Sequence, residues 1–383
     1  VLLVLCGIYF VQSTPWWSAP NQFNDAHAYL SMAQDPLGAQ SDDLAGHHRE
    51  RILPPLIVGF VHSITGLPHP QVFRLVAGAL FFLLSVTTYS FISSHSQTTW
   101  LTVPVVITLL IFSWPVTYNL ANVFQLTDLM TFIFVILLSR ALFSRRLVLF
   151  SLLSFLSILT RQNLIVLVFF GYLFLIDWRD LLTARNVNIA LFGTINGAII
   201  VWVLWFLPGS SSTLAHFRID NVVLPPFDAF VSIGLRLSPF FFVTLFNWRS
   251  ILRLSVRYFP VSIFAIITII QPFTVWDRTG SDNMNRIIMQ GIWPLQIAGA
   301  VLLLRETRTR GSVHRALIMV SPLMVGTSHL VQSSSILIQP LFFLPSRFRY
   351  AVDILYGLVS WSSIENLTLE IRGRLKPVLA RKK

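Results

Sequence analysis

The chain has 383 residues, of which 54% are apolar and 11% charged, against about 25% charged in an ordinary soluble domain. With a mean hydropathy of +0.69, this excludes a water-soluble globular protein. The formal charge of +12 does not point to nucleic acid, because the Arg and Lys residues lie between apolar blocks and not on one basic face.

The apolar content is concentrated in blocks such as Val72–Ile92, Thr99–Val116, Phe259–Val275 and Ile287–Leu304, each near the roughly 20 residues that cross a bilayer as a helix. Within lipid every backbone group must be bonded internally, and these blocks are too long and continuous for the alternating strands of a barrel. The expected fold is an all-α polytopic membrane protein. The single cysteine, Cys6, excludes an intrachain disulfide and a cysteine zinc cluster.

In chain order, the first apolar run, Val1–Val11, is too short to span and reads as part of a longer anchor, a signal-peptide core being the alternative. Ser13–Arg51 follows as the longest polar stretch, with Asp25, Asp35, Asp42, Asp43 and Glu50 beside His27, His47 and His48. Within it, Phe23, Ala26, Tyr29, Leu30 and Ala33 recur at helical spacing, which predicts a short amphipathic helix with Asp25 in its first turn. The simplest role for Asn24 or Asp25 is to cap that helix. Ile52–Gly66 has 15 residues, contains Pro54, Pro55 and His62, and is expected to lie at the interface without spanning. Asp128, after Leu126-Thr127, is expected at the mouth of the next span, where acids are costly and face a cavity. Arg161 interrupts a hairpin that is otherwise apolar from Leu147 to Ile176; it either snorkels to the interface or clamps a phosphate.

Eighteen of the 28 basic residues fall in Arg140–Arg146, Arg179–Arg185, Arg249–Arg257, Arg305–Arg315 and Arg372–Lys383, which the positive-inside rule assigns to the cytoplasm. An even number of crossings must separate these segments. The hairpins are Leu147–Thr160 with Asn163–Ile176, Asn188–Leu207 with Ala229–Phe246, Phe259–Val275 with Ile287–Leu304, and Ala316–Val331 with Tyr350–Ser362. With Ile52–Gly66 excluded, parity gives about twelve crossings and both termini inside. Ser13–Arg51, Asp128, Arg161, Arg218, Arg278 and Arg286 then share the outer face.

The order of these motifs resembles the C-type glycosyltransferase superfamily, which includes lipid A aminoarabinose transferases, protein O-mannosyltransferases and the oligosaccharyltransferase catalytic subunit. The likeness runs from the first helix to about Arg286. It rests on Asp25 in a D-x-x-x-Y-x-x-x-A pattern and on Glu50-Arg51-Ile52-Leu53-Pro54-Pro55-Leu56 before the interfacial helix. Gly66-Leu67-Pro68, Phe73-Arg74-Leu75, Leu126-Thr127-Asp128-Leu129 and Leu159-Thr160-Arg161-Gln162 add to it, as does Asp282-Asn283-Met284-Asn285-Arg286 before Trp293-Pro294. Two departures are plain. The first loop has Asn24-Asp25 in place of a D-x-D or D-x-E, and Arg161 stands where the family often has Lys.

The resemblance implies a first external loop of short juxtamembrane helices within a catalytic module at 1–304, followed by membrane helices and a basic tail at 305–383. It implies transfer of a sugar from a polyprenyl-phosphate donor to a lipid, glycan or protein acceptor outside the membrane, in a bacterial inner membrane. Asp25 would be the base, with Asp128 or Glu50 orienting it or binding a cation shared with the phosphate; Arg161, with Arg286 as second choice, and Arg51 would hold the donor phosphate. A divalent cation, Mg or Mn, would draw on Asp25, Asp128 or His47. The competing expectation is a transporter, flippase or polymerase of lipid-linked glycans. Against a transporter stand the absence of an internal repeat and a single deep basic residue, Arg236.

Overall fold

The computed structural model describes residues 24–35, 51–96, 124, 126–202, 248–271, 287–288, 290–302 and 304, and among these there is no strand. The helices are α1 (Asn24–Gln34), α2 (Leu53–Thr65), α3 (His69–Ser96), α4 (Leu126–Phe143), α5 (Leu147–Ile158), α6 (Leu164–Leu175), α7 (Ala184–Val201), α8 (Trp248–Arg257) and α9 (Phe259–Ile270). The helical residues within 287–304 form α10.

Three helices, α3, α4 and α7, are long and apolar enough to cross a membrane, and the bent pair α8–α9 makes up to four. The protein is therefore a helical membrane protein. The described residues do not extend to twelve spans; the expected crossings at Thr99–Val116, Ala229–Phe246, Ala316–Val331 and Tyr350–Ser362 lie outside them. The expected hairpin Leu147–Thr160 with Asn163–Ile176 is present as two short apolar helices. α5 and α6 have 12 residues each, about 18 Å at 1.5 Å per residue, short of a ~30 Å hydrocarbon core.

Side-chain contacts fix the directions. Phe73 packs against Phe124 at 4.9 Å between ring centroids, while at the far ends Arg140 donates to Ser90 at 2.6 Å; α3 and α4 thus run the same way. Arg145 turns the chain with φ 51°, and α5 returns antiparallel to α4. α6 descends again, so that Phe174 meets Phe143 at 6.5 Å and Phe259 at 5.7 Å, with Tyr258 against Phe143 at 4.2 Å. The segments Arg140–Arg146, Arg179–Arg185 and Arg249–Arg257 consequently gather at one end of the bundle, as their shared side in the sequence reading requires.

Close approach between neighbours sets part of this packing. A Cβ on Gly291 would meet the Ala265 carbonyl oxygen at 2.6 Å, and one on Gly171 would collide with the Phe150 ring. Inside the bundle Tyr172 donates to Ser151 at 2.8 Å and accepts from Asn196 at 2.5 Å, which joins α5, α6 and α7 through polar groups. α7 starts four residues before the expected Asn188 because Thr183 accepts the Asn186 N–H at 3.2 Å, a side-chain cap.

α2, expected at the interface, is a short apolar helix. It has 13 residues, its Leu53, Pro54, Pro55 and Val58 are buried, and Leu56, Phe60 and Ile64, one turn apart, are exposed. Gly66 ends it with φ 67°, a left-handed conformation in which glycine is unstrained. α1 packs beside α2, and Tyr29, Met32, Phe73 and Leu126 share one apolar cluster. That cluster brings the Asp25-bearing helix to the start of α4.

Candidate polar site at the end opposite the basic segments

Asp128 occupies the first turn of α4 and is 0% exposed. Arg161, in the turn between α5 and α6, is 3% exposed and forms an ion pair with Asp128 Oδ1. The same oxygen accepts from Gln290 Nε2 at 2.7 Å, and Gln290 Oε1 accepts from Asn163 Nδ2 at 2.6 Å. Four helices, α4, α5, α6 and α10, thus converge on one polar chain. One turn further along, Trp293 meets Phe132 at 4.9 Å and closes the site from below with apolar surface.

Local sequence places Arg161 in a tight turn between two helices. Ser157-Ile158-Leu159-Thr160 closes α5 with bonds from Thr160 N and Arg161 N to Ser157 O at 3.1 and 3.0 Å, and α6 restarts at once with Leu164 N to Arg161 O at 3.2 Å. What turns the side chain inward is its ion pair with Asp128 on α4. Of the two roles open to it in the sequence, snorkelling is therefore overturned: the guanidinium is buried and paired. An isolated charge in this setting would be prohibitive, and the pairing with a carboxylate and an amide is what makes it tenable.

A second polar contact adjoins the first. Arg51 Nη1 donates to the Tyr29 hydroxyl at 3.0 Å, and both residues are buried. The Leu53 N–H bonds the Leu159 carbonyl at 3.0 Å. Arg51 and Arg161 each lie two residues from that bond, so the entry to α2 and the α5–α6 turn are pinned together.

Of the residues singled out in the sequence, Asp128, Arg161 and Arg51 are brought to one end of the bundle. Asp25 falls in the first turn of α1, as expected, at that same end; its side chain lies outside the described residues. Glu50, Arg286 and His47 also lie outside them. Gln290 and Asn163 were not singled out, and Tyr29 was read only as part of the α1 pattern; Gln290 is one of two amides, with Gln296, in an otherwise apolar block, which is a readable signal.

Asp128 Oδ1 meets a guanidinium and an amide nitrogen, both hydrogen-bond donors. No group of three or more His, Cys, Asp or Glu side chains occurs among the described residues. The side chains of Asp25 and His47, the other expected cation ligands, lie outside the described residues, and no step is derived through a cation. Comparison of the chain with protein-family models, with curated proteins and with solved structures found no match.

Proposed function

We propose that this protein is a membrane glycosyltransferase of the C-type kind, which moves a sugar from a polyprenyl-phosphate donor to an acceptor at the face of the membrane opposite its basic segments. The observation that supports this reading best is the assembly of two buried arginines, Arg51 and Arg161, at the end of the bundle that also carries the Asp25-bearing helix. Displacement at the anomeric carbon needs a carboxylate to take the acceptor's proton and cations to stabilise the departing phosphate. Asp25 is assigned the first task. Arg161 and Arg51, with Arg286, are assigned the second. Asp128, bonded to Arg161, serves to orient that guanidinium, and Glu50 is a further carboxylate next to Arg51.

Membranes carrying Asp25→Asn are expected to lose transfer from a polyprenyl-phosphate sugar at unchanged expression. Arg161→Lys, which keeps the charge opposite Asp128, is expected to raise the donor KM about tenfold, the loss of one guanidinium–phosphate bond pair. Full activity of Asp25→Asn would remove the base assignment, and an unchanged donor KM would remove the phosphate assignment.

One observation favours a second reading, a transporter or flippase of lipid-linked glycans. Asp128 and Arg161 are ionisable groups buried inside a helical bundle, and such groups line translocation paths. Flux of a lipid-linked glycan without consumption of its sugar–phosphate bond would select this alternative.

A further inference from the structure

A separate surface lies at the basic end, away from the polar site. At 100° per residue, α8 presents three strips. Ile251, Leu254 and Ser255 turn toward the bundle and, with Tyr258, line an apolar cavity of about 140 Å³. Trp248, Leu252 and Val256 form a second strip and are 54%, 53% and 79% exposed. Arg249, Arg253 and Arg257 form the third, one turn apart and exposed.

The orientation of α8 is fixed by its junction with α9. Pro260 in the first turn of α9 and Tyr258 at φ −118°, ψ 41° interrupt the helix, and the two axes differ by 112°. α9 packs along α6 inside the bundle, so α8 lies across the end of the bundle. Its arginines face no acid within the helix, and their described contacts are with its own rings, Arg249 over Trp248 at 5.5 Å and Arg257 over Tyr258 at 5.6 Å.

We propose that α8 is an in-plane binding surface for the anionic phospholipid headgroups of the leaflet at the basic end. The Trp248, Leu252, Val256 strip enters the boundary of the acyl chains, and the adjoining Arg249, Arg253, Arg257 strip meets the phosphates. This is the arrangement that a basic amphipathic helix needs at a lipid–water interface. An apolar protein partner would match the second strip only; the parallel row of cations requires a row of anions at the same level. Arg140, Arg145 and Arg146 add positive charge at this end.

The test uses the full chain in nanodiscs of phosphatidylcholine with or without phosphatidylglycerol. In a Cys6→Ser background, Val256→Cys carries an environment-sensitive fluorophore. Quenching by lipids spin-labelled near the headgroup, with protection from aqueous iodide, is expected. Native mass spectrometry is expected to show that Arg249→Gln, Arg253→Gln and Arg257→Gln together lower retention of the anionic lipid about tenfold, whereas the three Arg→Lys changes preserve it. A fluorophore shielded from both quenchers would reveal a protein covering the helix, and one quenched by iodide alone would reveal water; either overturns the proposal. Equal anionic-lipid retention by the Gln variant would overturn it as well.

Discussion

Asp128 and Arg161 illustrate how burial changes the meaning of a charge. Each alone would be intolerable in an apolar bundle, and together, with Gln290 donating to the same carboxylate oxygen, they are stable. Removing one partner strands the other, at a typical cost of about 3–5 kcal/mol, while removing both costs far less. Asp128→Asn and Arg161→Gln are each expected to lower the thermal stability of the purified protein sharply, and the double variant is expected to recover most of the loss. A double-mutant cycle on Tm in detergent measures this directly. Additive losses would mean that the pair does not act as a unit. The same pairing separates orientation from chemistry in the proposed reaction: Asp128 acts through Arg161, and so it is a positioning residue.

At the scale of elements, the bundle depends on close helix contacts and on a few internal polar bonds. Membrane helices gain little from apolar burial against one another, since lipid is equally apolar, and small residues at contacts matter correspondingly more. Gly291 and Gly171 both sit at such contacts, but their neighbours differ. The atom facing Gly291 is the Ala265 backbone carbonyl oxygen, which cannot move without the helix; the atoms facing Gly171 belong to the Phe150 ring, which can rotate. Gly291→Ala is therefore expected to destabilise by about 2–3 kcal/mol and Gly171→Ala by about 1 kcal/mol, read as loss of Tm. A larger effect at Gly171 would place the tighter contact between α5 and α6. Tyr172→Phe removes the hydroxyl that bridges Ser151 and Asn196 and is expected to cost about 1 kcal/mol.

On the scale of the whole molecule, the two ends of the bundle are chemically distinct. One collects Arg140, Arg145, Arg146, Arg179, Arg185 and the α8 arginines; the other holds Tyr29, Arg51, Asp128 and Arg161, with α2 beside them. In a Cys6→Ser background, Ser144→Cys at the first end and Leu67→Cys at the second, both exposed, are expected to react with an impermeant maleimide from opposite sides of sealed vesicles. Labelling of both from one side would break the topology. It would also remove the outer location of the proposed chemistry, because Leu67 closes the loop after α2.

Composition and hydropathy alone determined that this is a helical membrane protein, since so few charges and such long apolar blocks leave lipid as the only compatible solvent. The same residues marked α2 as too short to span, through its length and its paired prolines, and grouped the basic segments on one side through parity. Helical spacing likewise gave α1, because a period of 3–4 is a local property. The inward turn of Arg161 was less legible, because it is set by Asp128, a residue 33 positions away in sequence. The fate of Arg161 is decided by a partner on another helix, and so is the junction at Leu53 and Leu159. Periodicity reports which face of a segment is apolar; it does not report which other segment that face will meet. Only the tertiary structure determined that Asp128, Arg161, Gln290 and Asn163 form one buried chain, because packing brings together charges that would each be too costly to bury alone.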